Sequence, residues 1–142
     1  ANPITVGPLN IIKPCYTLKS TVLFFKTLDK GHGISYNRSY ITKDFTRVVT
    51  LPIGYGDGYP RTAQGDMAVV RIVDQFVPVI GRVSMDMLLV DLTDLTYAVP
   101  NGTSVCLWGV SPSVDQIAAA AGTLGYELLC RMTQRPIRHY IA

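Results

Sequence analysis

Two short stretches concentrate side chains able to bind an anion or move a proton. The first is Gly54-Tyr55-Gly56-Asp57-Gly58, with Tyr59 and Arg61 directly after it. Three glycines in five residues mark a tight loop where positive φ is needed, and a chain without Cβ atoms can approach a ligand closely or simply turn a hairpin. Tyr55 adds a hydroxyl and Arg61 a permanent positive charge. The second stretch is Ile80-Gly81-Arg82-Val83-Ser84-Met85-Asp86-Met87. Read as a strand, it sets Arg82, Ser84 and Asp86 on one face and Val83, Met85 and Met87 on the other. The polar face is either an ordinary wetted surface or the rim of a cavity that offers a free backbone N–H to an anion. Tyr36, within Gly33-Ile34-Ser35-Tyr36-Asn37, is the third candidate. A strand tyrosine mostly packs its ring and wets its hydroxyl. It serves as a general base only where a cationic neighbour lowers its pKa from about 10.

Other chemistries fit poorly. The glycine loop lacks the Lys-Ser/Thr pair of a phosphate-binding P-loop. His32 and His139 stand alone, outside any metal-ligand spacing, and read as turn or surface residues. Asp91 and Asp94 lack the calcium-loop pattern. No metal site is expected.

These stretches need a scaffold, and the patterning points to β structure. Pro3, Pro8 and Pro14 keep residues 1–14 irregular. Thr17–Leu28 mixes Leu, Val and Phe as a strand does, and Lys30-Gly31-His32-Gly33 reads as a turn. Ile34–Tyr40 and Arg47–Ile53 are further strands, the latter with Pro52 near its end. Met67–Val73 and Val77–Ile80 pair around Asp74-Gln75. Arg82–Asp91 alternates, and Val105–Trp108 follows the Pro100-Asn101-Gly102 turn. The period then changes. Ser113 and Gln116 match a capping box, with Val114, Ile117, Ala118 and Ala121 at helical spacing and Gly122 as the stop. A second helix covers about Tyr126 to Thr133, halted by Pro136, and Ile137–Ile141 makes a last strand. Short strands followed by two late helices, with no βαβ alternation, predict a mainly β domain: a closed or strongly twisted, barrel-like sheet with two short helices near the C-terminus.

A chain of 142 residues, 48% of them hydrophobic, suits a single domain with its own core. Only 16% are charged, which hints at a surface normally covered, although small β domains can be charge-poor. The net charge of +3 is spread without a basic block, so no nucleic-acid partner is expected. Cys15, Cys106 and Cys130 form no disulfide framework. Cys106 and Cys130 sit in apolar contexts that suggest burial, and a reducing, cytoplasmic compartment fits. No apolar run is long enough for a transmembrane helix, and no signal peptide is visible. The absent initiating Met suggests a processed chain or a piece of a larger one.

The succession Val49 to Gly58 (VTLPIGYGDG), Val79 to Asp86 (VIGRVSMD) and Gly122 to Glu127 (GTLGYE), with Arg135 to Arg138 (RPIR) behind it, resembles the C-terminal domain of alanine racemases in order and spacing, over about Pro14 to Ile141. The resemblance implies an enzyme that interconverts L- and D-alanine for peptidoglycan, with pyridoxal phosphate on a lysine of an N-terminal (β/α)8 barrel that residues 1–142 lack. It implies a homodimer in which this domain packs against the barrel of the other subunit. Tyr36 would be the catalytic tyrosine on the second face of the substrate, opposite the lysine. Met85 would give its backbone N–H to the substrate carboxylate. Tyr55 would line the inner entrance, with Arg61, Arg82 and Asp86 further out, and the Tyr126 hydroxyl would help hold the cofactor phosphate. The sequence departs from the family pattern at Gly56, usually Ala, at Ser84, usually Cys, and at Asn37, usually Gly. Asn37 and Ser84 can adjust the pocket's polarity, which leaves serine or a broader range of amino acids open. A non-catalytic accessory domain of the same fold is the competing reading. Without the lysine, residues 1–142 alone are expected to be inactive.

Overall fold

The computed structural model describes residues 13–141; the irregular start read from Pro3 and Pro8 lies outside them. Alternation is clearest in β6 (Gly65–Ile72), which buries Ala68, Val70 and Ile72 and leaves the residues between them less buried. Its hairpin partner β7 (Gln75–Ile80) buries Val77 and Val79. These join β5 (Thr46–Leu51), β8 (Leu88–Asp91) and β9 (Ser104–Trp108) in one antiparallel sheet, ordered β9-β6-β7-β8-β5 with one further strand at each end.

The two end strands are β1 (Leu18–Thr21) and β2 (Phe24–Leu28), the halves of the single strand expected over Thr17–Leu28. Only Val22 and Leu23 separate them. Val22 N–H donates to Thr103 O at 2.9 Å, beside β9, and Leu23 N–H to Thr50 O at 3.0 Å, on β5. One bent strand thus leaves the first margin of the sheet and joins the last, closing the sheet through a stagger and removing most of its open edge. The core fills this closure, with Val49, Leu51, Val70, Val79, Val90 and Leu107 at its centre.

Helices α1 (Val114–Ala121) and α2 (Gly125–Arg131) cover one end, inserting Ile117, Ala118 and Leu128. The Ser113 hydroxyl caps α1 by accepting Gln116 N–H at 3.1 Å, the serine half of the expected box, and Gly122 ends the helix at φ 75°. Among the described residues no helix is long and apolar enough to cross a membrane.

Several local expectations give way. Ile34–Tyr40 is not a strand: β3 (Gly33–Ile34) and β4 (Tyr40–Ile41) form a small hairpin around a 3-10 turn at Tyr36–Arg38. Ile34 pins that hairpin to the sheet beside Val48 and Ile80. Of Arg82–Asp91, only Leu88–Asp91 is strand; residues 81–87 are a loop, because Gly81 turns at φ 70° and Ser84 N–H bonds across to Met87 O. The two-face reading of Arg82, Ser84 and Asp86 therefore does not apply. Residues 137–141 are exposed and pair with no strand. Cys130 is exposed, since α2 buries the face carrying Gly125 and Leu128; Cys106 is buried as expected.

Candidate active site

Tyr36 rides on a strained turn. Ser35 has φ 65° and ψ −177°, and Asn37 and Arg38 have φ 54° and 50°. Glycine enters these regions freely and other residues rarely do; the Ser35 conformation is close to glycine-only. Contacts to one neighbouring residue hold the turn. Ser35 Oγ–H donates to Arg82 O at 2.6 Å, and Arg82 N–H donates to Ser39 Oγ at 3.2 Å. Gly81 makes room for this clasp, because a Cβ there would lie 2.7 Å from Ser35 Cβ. The Tyr36 side chain is left 58% exposed. Among the described residues no cationic group hydrogen-bonds to its hydroxyl.

The glycine loop lies against the other end of the same segment. Tyr55 N–H donates to Ser84 O at 3.0 Å and Gly56 N–H to Met85 O at 2.8 Å. Gly54 is extended, at φ −152°, so glycine is needed there for space and not for conformation. A Cβ at Gly54 would come within 2.6 Å of the Met85 carbonyl carbon. Arg61 O accepts Val83 N–H at 3.3 Å. Met85 N–H is engaged by no acceptor among the described residues, and Met85 is half exposed. A bare amide on a loop fixed from both sides is a fitting donor to an incoming carboxylate.

Six of the seven sequence candidates therefore meet on residues 81–86. Tyr36 is clasped to Arg82, Tyr55 and Arg61 are bonded to Ser84 and Val83, and Met85 and Asp86 complete the loop. Arg38, Arg61 and Arg82 are exposed and form no ion pair among the described residues, which favours an anionic visitor. Tyr126 stands apart in the first turn of α2, 69% exposed. Tyr59, next to the loop, is a core residue: its ring stacks on Trp108 with centroids 5.6 Å apart. Burial pushes its hydroxyl pKa well up, so it is not a proton carrier.

Sequence reasoning missed Ser35 and Ser39 as the clasp, and Asp57 and Arg135 as a further joint. Arg135 Nε lies 3.2 Å from Asp57 Oδ1, and Nη2 donates to Asp86 Oδ1 at 2.6 Å. The signal for Arg135 was its place in the RPIR segment; of its acidic partners, Asp57 was visible only as part of the glycine loop and Asp86 only as an entrance residue.

Residues 15–140 match the family model described as "Alanine racemase, C-terminal domain". The alanine racemase of Stutzerimonas stutzeri is 45% identical over 130 residues, covering 92% of this chain and 36% of the relative. The crystal structure of the biosynthetic alanine racemase of Pseudomonas aeruginosa superposes with a TM-score of 0.88 at 38% identity, over 98% of this chain and 38% of the other. The alanine racemase structure from Acinetobacter baumannii gives a TM-score of 0.84 at 40% identity, over 90% and 35%. The chain thus spans little more than a third of the length of the proteins it matches.

Proposed function

The chain belongs to the alanine racemase C-terminal domain family, and on that premise we propose that residues 1–142 form a single domain supplying one wall of an amino-acid racemase site. The reaction is the interconversion of L- and D-alanine, which supplies D-alanine for cell-wall synthesis. Racemisation removes a proton from one face of the α-carbon and returns one to the other, so it needs two acid/base groups on opposite sides. Tyr36 is the group on the second face. Its turn is clasped to Arg82, three residues from the unengaged Met85 N–H, which takes the substrate carboxylate. That shared anchorage is the observation that carries the reading: one loop sets both the proton carrier and the carboxylate donor. Tyr55 lines the inner entrance, and Arg61 and Arg82, with Asp86 beside them, draw the anion inward.

The remainder of the site comes from a (β/α)8 barrel, that of a second subunit in a homodimer. A lysine of that barrel would hold pyridoxal phosphate, which would supply an electron sink for the negative charge left on the α-carbon. The residues of this domain fit a partial share of such a site. Tyr126 offers an exposed hydroxyl to the phosphate, in the site of its own chain's barrel, whereas no lysine occurs in residues 35–39, 54–61 or 81–87. The 142 residues alone therefore do not racemise alanine.

The test is Tyr36→Phe in the two-domain chain, assayed with D- and L-alanine and with serine. Turnover falls in both directions, and exchange of the α-proton with solvent deuterium persists only through the lysine face. Undiminished racemisation in both directions would remove Tyr36 from the chemistry. Comparable turnover of serine would widen the substrate range.

A further inference from the structure

We infer that Arg135 is a positioning residue for this site: its guanidinium holds the Tyr55 loop and the Met85 loop in one register, and so sets the carboxylate donor against the entrance tyrosine. The inference rests on the racemase reading and deepens it.

Helix α2 ends at Arg131 because Met132 leaves helical geometry, at ψ 122°. The chain then crosses the glycine loop. Gly58 permits the crossing, since a Cβ there would lie 2.7 Å from both Arg131 O and Met132 Cα. Thr133 lies along the loop, its N–H donating to Asp57 O at 3.1 Å and its hydroxyl to Gly56 O at 3.0 Å. Arg135 N–H in turn donates to Thr133 Oγ1 at 3.3 Å. This rail delivers the guanidinium to two carboxylates of different loops, Asp57 through Nε and Asp86 through Nη2. Asp57 is buried, and its other oxygen accepts Gly54 N–H at 2.9 Å, so it braces the start of the loop while it holds the arginine. Asp86 directly follows Met85. The planar fork presents separate, fixed N–H groups to the two acceptors, a spread that the compact ammonium of a lysine does not reproduce.

Gly56 adjoins the fork. A Cβ there would run into Arg135 Nη1 and sit 3.0 Å from Met85 O. The bare residue lets the guanidinium seat between the loops. Charge supports the same role. Asp86 is one residue from the amide that receives an anion, and left alone it would repel that anion; Arg135 offsets it. The gain is geometric more than thermodynamic. The side chains of Arg135 and Asp86 are 45% and 59% exposed, and exposed ion pairs add little to folding. Misplacing a substrate-binding group is far more costly to the reaction than to the fold.

The experiment uses the two-domain racemase chain with Arg135→Gln, Arg135→Lys and Asp86→Asn, and with Tyr36→Phe to test the underlying reading. Arg135→Gln should raise KM for alanine in both directions by about 10-fold, with kcat less affected, and should weaken inhibition by acetate by a similar factor. Arg135→Lys should recover little of this. Asp86→Asn, which removes the exposed leg alone, should raise KM without a marked loss of thermal stability. Hydrogen exchange at the Tyr55 and Gly56 amides should quicken in Arg135→Gln, a readout independent of activity. If KM, acetate inhibition and amide exchange stay at wild-type values while Tyr36→Phe abolishes turnover, Arg135 has no positioning role and the racemase reading stands. If Tyr36→Phe is harmless, the reading fails, and the amide exchange alone decides whether Arg135 joins the loops. A fall in melting temperature with unchanged KM makes Arg135 merely structural.

Discussion

Replacing Gly54 by alanine tests how closely the two loops are packed. Gly54 has an extended backbone that alanine adopts without strain, so the effect comes from the added methyl group. That methyl would stand 2.6 Å from the Met85 carbonyl carbon. Restoring ordinary van der Waals distance requires the loops to part by about 1 Å. The bonds from Tyr55 N–H to Ser84 O and from Gly56 N–H to Met85 O, now 3.0 and 2.8 Å, would then exceed hydrogen-bonding range. Two such bonds contribute about 1–3 kcal/mol together, and this is the expected loss of stability. Trp108, the single tryptophan and fully buried, reports unfolding by its fluorescence in a urea titration. The midpoint should fall with little change in slope. Faster exchange at the Tyr55 and Gly56 amides should accompany it. A variant within about 0.5 kcal/mol of wild type, its two amides still protected, would refute the close packing of these loops and with it the fixed placement of Met85 N–H.

Three further outcomes are expected. Ser35→Gly should be more stable than Ser35→Ala by about 1–3 kcal/mol, because both lose the bond to Arg82 O but only glycine relieves the strain at φ 65°; parallel urea titrations measure the difference. Tyr59→Phe removes a buried hydroxyl that has no partner among the described residues and should stabilise the chain by about 1 kcal/mol at neutral pH. Since the folded state holds the Tyr59 proton that the unfolded chain releases above about pH 10, wild-type stability should fall as pH rises past that point, and the advantage of Tyr59→Phe should widen there. Ser113→Ala, which takes the cap from α1, should cost about 1 kcal/mol in the same titration.

The sheet and the helices were largely legible, because β6, β7 and α1 carry their period openly and Gly122 marks the end of α1. The setting of Tyr36 was not. Ile34, Tyr36 and Tyr40 have strand-like composition, and the turn depends on positive φ at Ser35, Asn37 and Arg38, of which only asparagine favours that region. Gly81 did signal a bend, but the alternation beyond it was misleading: Val83 is buried in a loop and bonded to Arg61. Likewise, nothing local marks the step at Val22–Leu23, since it is dictated by Thr50 and Thr103, far away in the chain. Arg135 was recognisable as part of a motif. Its work was hidden because Asp57 and Asp86 come within its reach only when three loops fold together.

The bent strand that closes the sheet also sets an order of events during synthesis. Residues 18–28 leave the ribosome ahead of the partner of β1, Ser104–Trp108, which is made roughly 80 residues later, a delay of roughly 4–16 s at ordinary elongation rates. During that interval β1 has no strand to pair with, and Leu23, Phe24 and Phe25 follow directly behind it, exposed even in the folded domain. The nascent domain therefore carries a sticky, unpaired segment until β9 emerges, and a chaperone that shields this segment would raise the yield of folded domain more than one acting on any later strand.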